Sequence, residues 1–85
     1  MYHYRFSKKA LRDFKKIPKN KQRLIVEKLE YFASSNNPLM FAKALTNYSL
    51  GQYRFRIGDY RVIFDLAVDE TISILRLGHR REVYR

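Results

Sequence analysis

Arg54, Arg56, Arg61 and Arg80, together with Tyr84 near the C-terminus, are the residues whose types and spacing could do chemistry here. A guanidinium is a planar fork that grips phosphate at two points and keeps its proton throughout the ordinary pH range. A cluster of such groups can hold a phosphate and stabilise charge building on it, but cannot act as a base. A phenol can carry a proton. Tyr84 sits in a polar tail beside Glu82 and Arg85, with Val83 as its apolar neighbour. His79, an imidazole at a strand end, is a second candidate acid–base group. Cysteine is absent, and the two histidines, His3 and His79, are far apart. Disulfides, thiolate nucleophiles and spaced metal-ligand sets are thereby excluded, and no metal or cofactor is expected.

A hairpin must position the arginines. Tyr53, Phe55 and Ile57 alternate with Arg54 and Arg56, and Gly58-Asp59 is a two-residue turn signal with Gly first. That turn pairs Ile57 with Tyr60, Arg56 with Arg61, Phe55 with Val62 and Arg54 with Ile63. Like charges directly opposed across a sheet are destabilising. A small protein has little stability to spare for them. An isolated arginine on such a face would be an ordinary solvated charge; an opposed pair with neighbours points to an anion among them. A third strand, Thr71 to Leu77, turned at Asp69-Glu70, places Leu75 and Leu77 with the core and Arg76 near Ile63 and Asp65, its expected ion-pair partner. Gly78 ends that strand near Arg61, so the tail with Arg80, Arg81 and Tyr84 emerges beside the arginines.

The front half reads as a short strand and two helices. Tyr2 to Phe6 alternates aromatic and polar residues. Ser7 is an N-cap, and Ala10, Leu11, Phe14 and Ile17 follow at helical spacing. The opposite face carries the basic stripe Lys8, Arg12, Lys15, Lys16 and Lys19, an RNA-binding candidate. Pro18 breaks the pattern, and a second helix is expected from about Asn20 to Ala33. Residues 34–38 are a loop. Residues 39–49 are ambiguous, with a helical turn expected at Ala42–Leu45. The order β-α-α-β-β-β predicts an α+β fold: a helical hairpin on one face of a mostly antiparallel four-stranded sheet, with a short C-terminal tail, as one domain over residues 1–85.

Composition sets the partner. The 85 residues carry 18 Lys and Arg against 8 acids, a net charge of +10, and 46% are hydrophobic. That is too apolar for a disordered basic tail, and no apolar run reaches the ~20 residues of a membrane span. No signal peptide precedes the first strand, so a cytoplasmic chain with an anionic partner, nucleic acid first, is expected. Residues 1–49 hold all eight lysines, whereas residues 50–85 hold seven arginines and no lysine. This suggests general attraction from one half and oriented phosphate contact from the other.

The stretch Tyr53–Phe64, YRFRIGDYRVIF, resembles the central hairpin of the RelE/ParE toxin superfamily, and Leu77–Arg85, LGHRREVYR, resembles the end of its RelE branch. The resemblance covers essentially the whole chain. It implies a toxin of a type II toxin–antitoxin system, a ribosome-dependent, metal-independent endoribonuclease cutting mRNA by 2′-hydroxyl attack on the adjacent phosphate. It also implies two partners: an acidic cognate antitoxin, and the ribosome with mRNA. Arg54 and Arg56 stand where the best-known RelE has lysines, Arg61 and Arg80 at its arginines, and Tyr84 at its C-terminal tyrosine. With arginine in place of lysine, the base is Tyr84, His79, a water or a ribosomal group. A ParE-like DNA gyrase inhibitor on the same fold, and a plain RNA-binding module, are the alternatives.

Overall fold

The computed structural model describes residues 1–46 and 49–84. Strand β1 (His3–Phe6) leads into α1 (Lys8–Lys15) and α2 (Lys19–Ser34), then a 3-10 turn at Pro38–Phe41. Four further strands follow: β2 (Ala42–Ala44), β3 (Tyr53–Ile57), β4 (Tyr60–Ala67) and β5 (Thr71–His79). Ser7 caps α1 as its sequence position predicts: its Oγ accepts from the Ala10 N–H at 3.0 Å and donates to the Leu75 carbonyl. Pro18 separates the helices. The backbone tightens before it through Lys16 and Ile17 N–H bonds to Asp13 and Phe14, so α1 stops two residues short of the expected Ile17.

The sheet has five strands, not the expected four, in the order β1-β5-β4-β3-β2; it is mostly antiparallel as expected, with one parallel pair. β1 lies parallel to β5, with His3 opposite Thr71 and Phe6 opposite Ile74. The fifth strand comes from the ambiguous region. Ala42–Ala44 pairs with Phe55–Tyr53 where a helical turn was expected at Ala42–Leu45. Alanine and lysine are poor strand formers. The unpaired edge of β3 decides the conformation, a long-range term that local pattern does not carry. Positions 47 and 48 of the ambiguous stretch lie outside the described residues.

Both helices cover one face. Ile25, Leu29 and Phe32 of α2 and Ala10 of α1 meet Phe55, Val62, Phe64, Ile72, Ile74 and Leu77 of the sheet in one core. Phe55 stacks on Phe64 with centroids 4.3 Å apart, and Phe32 lies 4.5 Å from Phe55. Leu75 is a correction. Ile63 pairs with Arg76 but Phe64 pairs with Ile74, so Leu75 is the extra residue of a bulge. The bulge shifts the alternation by one, which keeps Ile72, Ile74 and Leu77 all inward and leaves Leu75 half-buried. The opposite face near it is closed by the loop at Gly51. A Cβ there would come within 2.6 Å of Ile63 Cγ2, and φ is +153°, so glycine is required. β5 also continues two residues past Leu77, through Gly78 to His79.

Candidate functional site

Arg54, Arg56 and Arg61 project from the helix-free face because they alternate with the core residues Tyr53, Phe55, Ile57 and Val62. The register is the one the turn predicts: Arg56 lies directly opposite Arg61 and Arg54 opposite Ile63. Gly58 supplies the positive φ, +59°, at the first turn position. Arg61 is the enclosed member, with 6% of its surface exposed. Its Nη1 donates to the carbonyls of Gly58 at 2.9 Å and Tyr60 at 3.0 Å, so the side chain braces its own turn. Burial, then the charges of Arg56 and Arg54, push its guanidinium below the ordinary arginine value, with Arg80 adding to the effect and Tyr84 opposing it. It stays cationic at neutral pH. Among the described residues, neither Arg54 nor Arg56 has an ion-pair partner. Among the described residues, positive charge is therefore concentrated here, on a rigid two-stranded element.

The tail folds back over this face. The Arg80 N–H donates to the Asp59 carbonyl at 2.7 Å, and the N–H groups of Glu82 and Val83 both donate to the His79 carbonyl. Arg80 Nε stands 3.9 Å from the Asp59 carboxylate, both well exposed. Val83, 4% exposed, sits over the space Gly78 leaves, its Cβ 3.8 Å from where a Gly78 Cβ would be. The next residue turns toward the arginines, and Arg54 Nη1 donates to the Tyr84 hydroxyl at 3.3 Å. Arg54, Arg56, Arg61, Arg80 and Tyr84 are thus brought together.

Other candidates lie elsewhere. His79 pairs with Tyr60, its ring edge-on to the tyrosine at 5.9 Å, which puts it on the helix side of the strand end. Arg81 is exposed, its N–H donating to His79 Nδ1 at 3.2 Å. Lys8, Arg12, Lys15, Lys16 and Lys19 are all exposed along α1 and the start of α2, on the helix layer and not on the arginine-bearing strands, with Lys19 already the first residue of α2. Arg76 does not pair with Asp65. Its guanidinium forms a fork on Asp13, Nε to Oδ2 at 2.7 Å and Nη2 to Oδ1 at 3.2 Å, and Oδ2 also accepts from the Leu77 N–H. Asp13 thereby caps the edge of β5 beyond the end of β1, while Asp65 accepts from the Gln52 N–H. Lys43 escaped the sequence reading altogether. It lies opposite Arg54 in the β2–β3 pair, on the arginine side, and no local signal marks its strand.

A basic hairpin face under a folded-back tail, on a five-stranded sheet with one helical hairpin, recurs in known proteins. Residues 4–84 match the family described as the ParE toxin of the type II toxin–antitoxin system parDE. The Toxin RelG of Mycobacterium tuberculosis is 33% identical over 99% of this chain and 97% of its own. The Toxin RelE3 of Methanocaldococcus jannaschii is 30% identical over 93% and 91%. In the RelBE2 toxin–antitoxin complex of M. tuberculosis, one chain superposes with a TM-score of 0.74 at 32% identity, covering 93% of this chain and 98% of that one. In the archaeal RelE–RelB complex from Pyrococcus horikoshii the values are 0.73 and 28%, over 96% and 98%. The chain belongs to the RelE/ParE superfamily of type II toxins. Within it, the relatives place the chain in the RelE-like branch.

Proposed function

We propose that this toxin is a ribosome-dependent endoribonuclease acting on mRNA in the cytoplasm. The observation that carries the reading is the opposed pair Arg56 and Arg61, flanked by Arg54 and Arg80 and touched by the Tyr84 phenol. In the reaction the 2′-oxygen attacks the adjacent phosphorus while the bond to the 5′-oxygen breaks. The products are a cyclic phosphate and a 5′-hydroxyl. The 2′-hydroxyl proton goes to a base and the leaving oxygen gains one. Negative charge grows on the phosphoryl oxygens, and fixed guanidinium groups stabilise it most in the transition state. Arginine cannot take the proton. Tyr84 is assigned to proton transfer because it is the proton-carrying group in contact with the cluster. Lys43 is assigned to the RNA backbone from its place beside Arg54.

The exposed stripe from Lys8 to Lys19 is assigned to ribosomal RNA, since it lies off the arginine face and is mostly lysine. Arg81, exposed in the tail, joins the RNA contacts. An acidic antitoxin is the second partner. A net charge of +10 favours such a chain electrostatically, and both of the superposed structures are toxin–antitoxin complexes. The match to the ParE description favours one competing reading, a gyrase inhibitor. Induced expression separates the two. Messenger RNA cut within codons supports the ribonuclease; blocked replication with intact mRNA overturns it in favour of the gyrase reading.

A further inference from the structure

The turn that joins the arginine-bearing strands also carries a carboxylate. Asp59 follows Gly58 in that turn, between Arg56 on β3 and Arg61 on β4. It meets the start of the tail in two ways. Its carbonyl accepts the Arg80 N–H at 2.7 Å. Its side-chain Oδ1 stands 3.9 Å from Arg80 Nε. The first contact is a backbone bond that fixes where the tail begins. The second is a contact of charges, too long for a hydrogen bond.

Other acids are placed elsewhere. Asp13 holds Arg76, Glu70 faces the N-terminal amine and Asp65 accepts from the Gln52 N–H. Among the described residues, Asp59 is the carboxylate that forms an ion pair with a member of the arginine cluster. A hairpin with like charges opposed gains from a nearby negative charge while no anion is bound. The same charge repels a phosphate that enters.

The strength of the pair decides between the two anions. The side chains of Arg80 and Asp59 are 50% and 67% exposed, and an exposed pair at this separation contributes little. A phosphate offers Arg80 charge-assisted hydrogen bonds, and Arg54, Arg56 and Arg61 attract the same anion. The Arg80 guanidinium can therefore exchange partners. It can do so without freeing the tail, because the backbone bond to the Asp59 carbonyl does not involve the side chain.

We propose that Asp59 is the resting counter-ion of the phosphate site: its carboxylate holds the Arg80 guanidinium at the turn while the site is empty and yields it to the phosphate that enters. This adds a regulatory contact to the site of the ribonuclease reading and rests on that reading. Asp59→Asn tests it, since the change removes the charge, keeps the backbone carbonyl and leaves a residue that turns accept. The probe is inorganic phosphate, titrated into the full chain at about 0.1 M salt and followed by NMR at the Arg80 Nε–H. Asp59→Asn should bind phosphate about threefold tighter, and the gain should shrink as salt is raised. The control is Asp69→Asn, which makes the same change in net charge at the other end of β4, roughly 20 Å away, and should bind like the wild type. On programmed ribosomes, Asp59→Asn should reach half-maximal single-turnover cleavage at about a threefold lower concentration, with the rate at saturation unchanged. Unchanged phosphate affinity in Asp59→Asn, or an equal gain in Asp69→Asn, would overturn the proposal. So would slower cleavage at saturation without tighter binding, which would make the carboxylate a positioning group for Arg80 in the reaction. Tighter phosphate binding by Asp59→Asn, together with intact mRNA on ribosomes treated with the wild type, would overturn the ribonuclease reading and leave Asp59 as the counter-ion of an anion site.

Discussion

Replacing Val83 with Ser should open the tail. The segment from Arg80 to Val83 is held by four backbone N–H groups, which find acceptors at Asp59 and His79, and by burial of one valine. Ordering four residues costs about 1–2 kcal/mol each. The hydrogen bonds return roughly 0.5–1.5 kcal/mol each, and burying the valine about 1.5–3 kcal/mol. The opposing sides come within a few kcal/mol of each other, so the valine decides whether the tail stays closed. Losing about 2 kcal/mol of burial should raise the open population roughly 30-fold. The assay is amide hydrogen exchange. The Glu82 and Val83 amides, both bonded to the His79 carbonyl, should exchange about 30-fold faster, while core amides of β4 keep their protection. Single-turnover cleavage should fall as Tyr84 leaves Arg54. Exchange at Glu82 unchanged from the wild type would refute the reasoning. It would show that Arg80–Asp59 or Tyr84–Arg54 holds the tail.

Three further outcomes are expected. Arg61→Met, which keeps the buried stem and removes the fork, should lower single-turnover cleavage on programmed ribosomes by about 10²–10³ with little change in ribosome affinity; a wild-type rate would sink the arginine-cluster site. Replacing Lys8, Lys15 and Lys19 with Gln should weaken ribosome binding and flatten its salt dependence, leaving the rate of the bound complex unchanged; a slower bound complex with undiminished affinity would count against the rRNA assignment. Asp13→Ala leaves the Arg76 fork and the Leu77 N–H without their acceptor and should cost about 2–3 kcal/mol, lowering Tm by roughly 10–20 °C. Asp13→Asn, which keeps one acceptor oxygen, should lose about half as much; equal losses would mean that the charge pair carries the whole effect.

The central hairpin was legible because everything that specifies it is local. A period of two, a Gly-first turn and an alternation of aromatics with arginines permit one register, and that register alone puts Arg56 against Arg61. The Ser7 cap and the break at Pro18 are local for the same reason. Three features depended on partners distant in the chain. Ala42–Ala44 becomes a strand because β3 offers an open edge, and this brings Lys43 beside Arg54. Leu75 leaves the core because a bulge is a property of two strands, not of one. Arg76 chooses Asp13 over Asp65 because α1 lies along the end of β5, 63 residues away in sequence. The site divides in the same way. Residue type determined that it would be cationic. Whether His79 would join it was settled by alternation along β5, whose phase the bulge resets, and by the fold-back that buries Val83 and turns Tyr84 toward Arg54. Side-chain direction in a sheet follows pairing, and pairing is decided only when the whole chain is assembled.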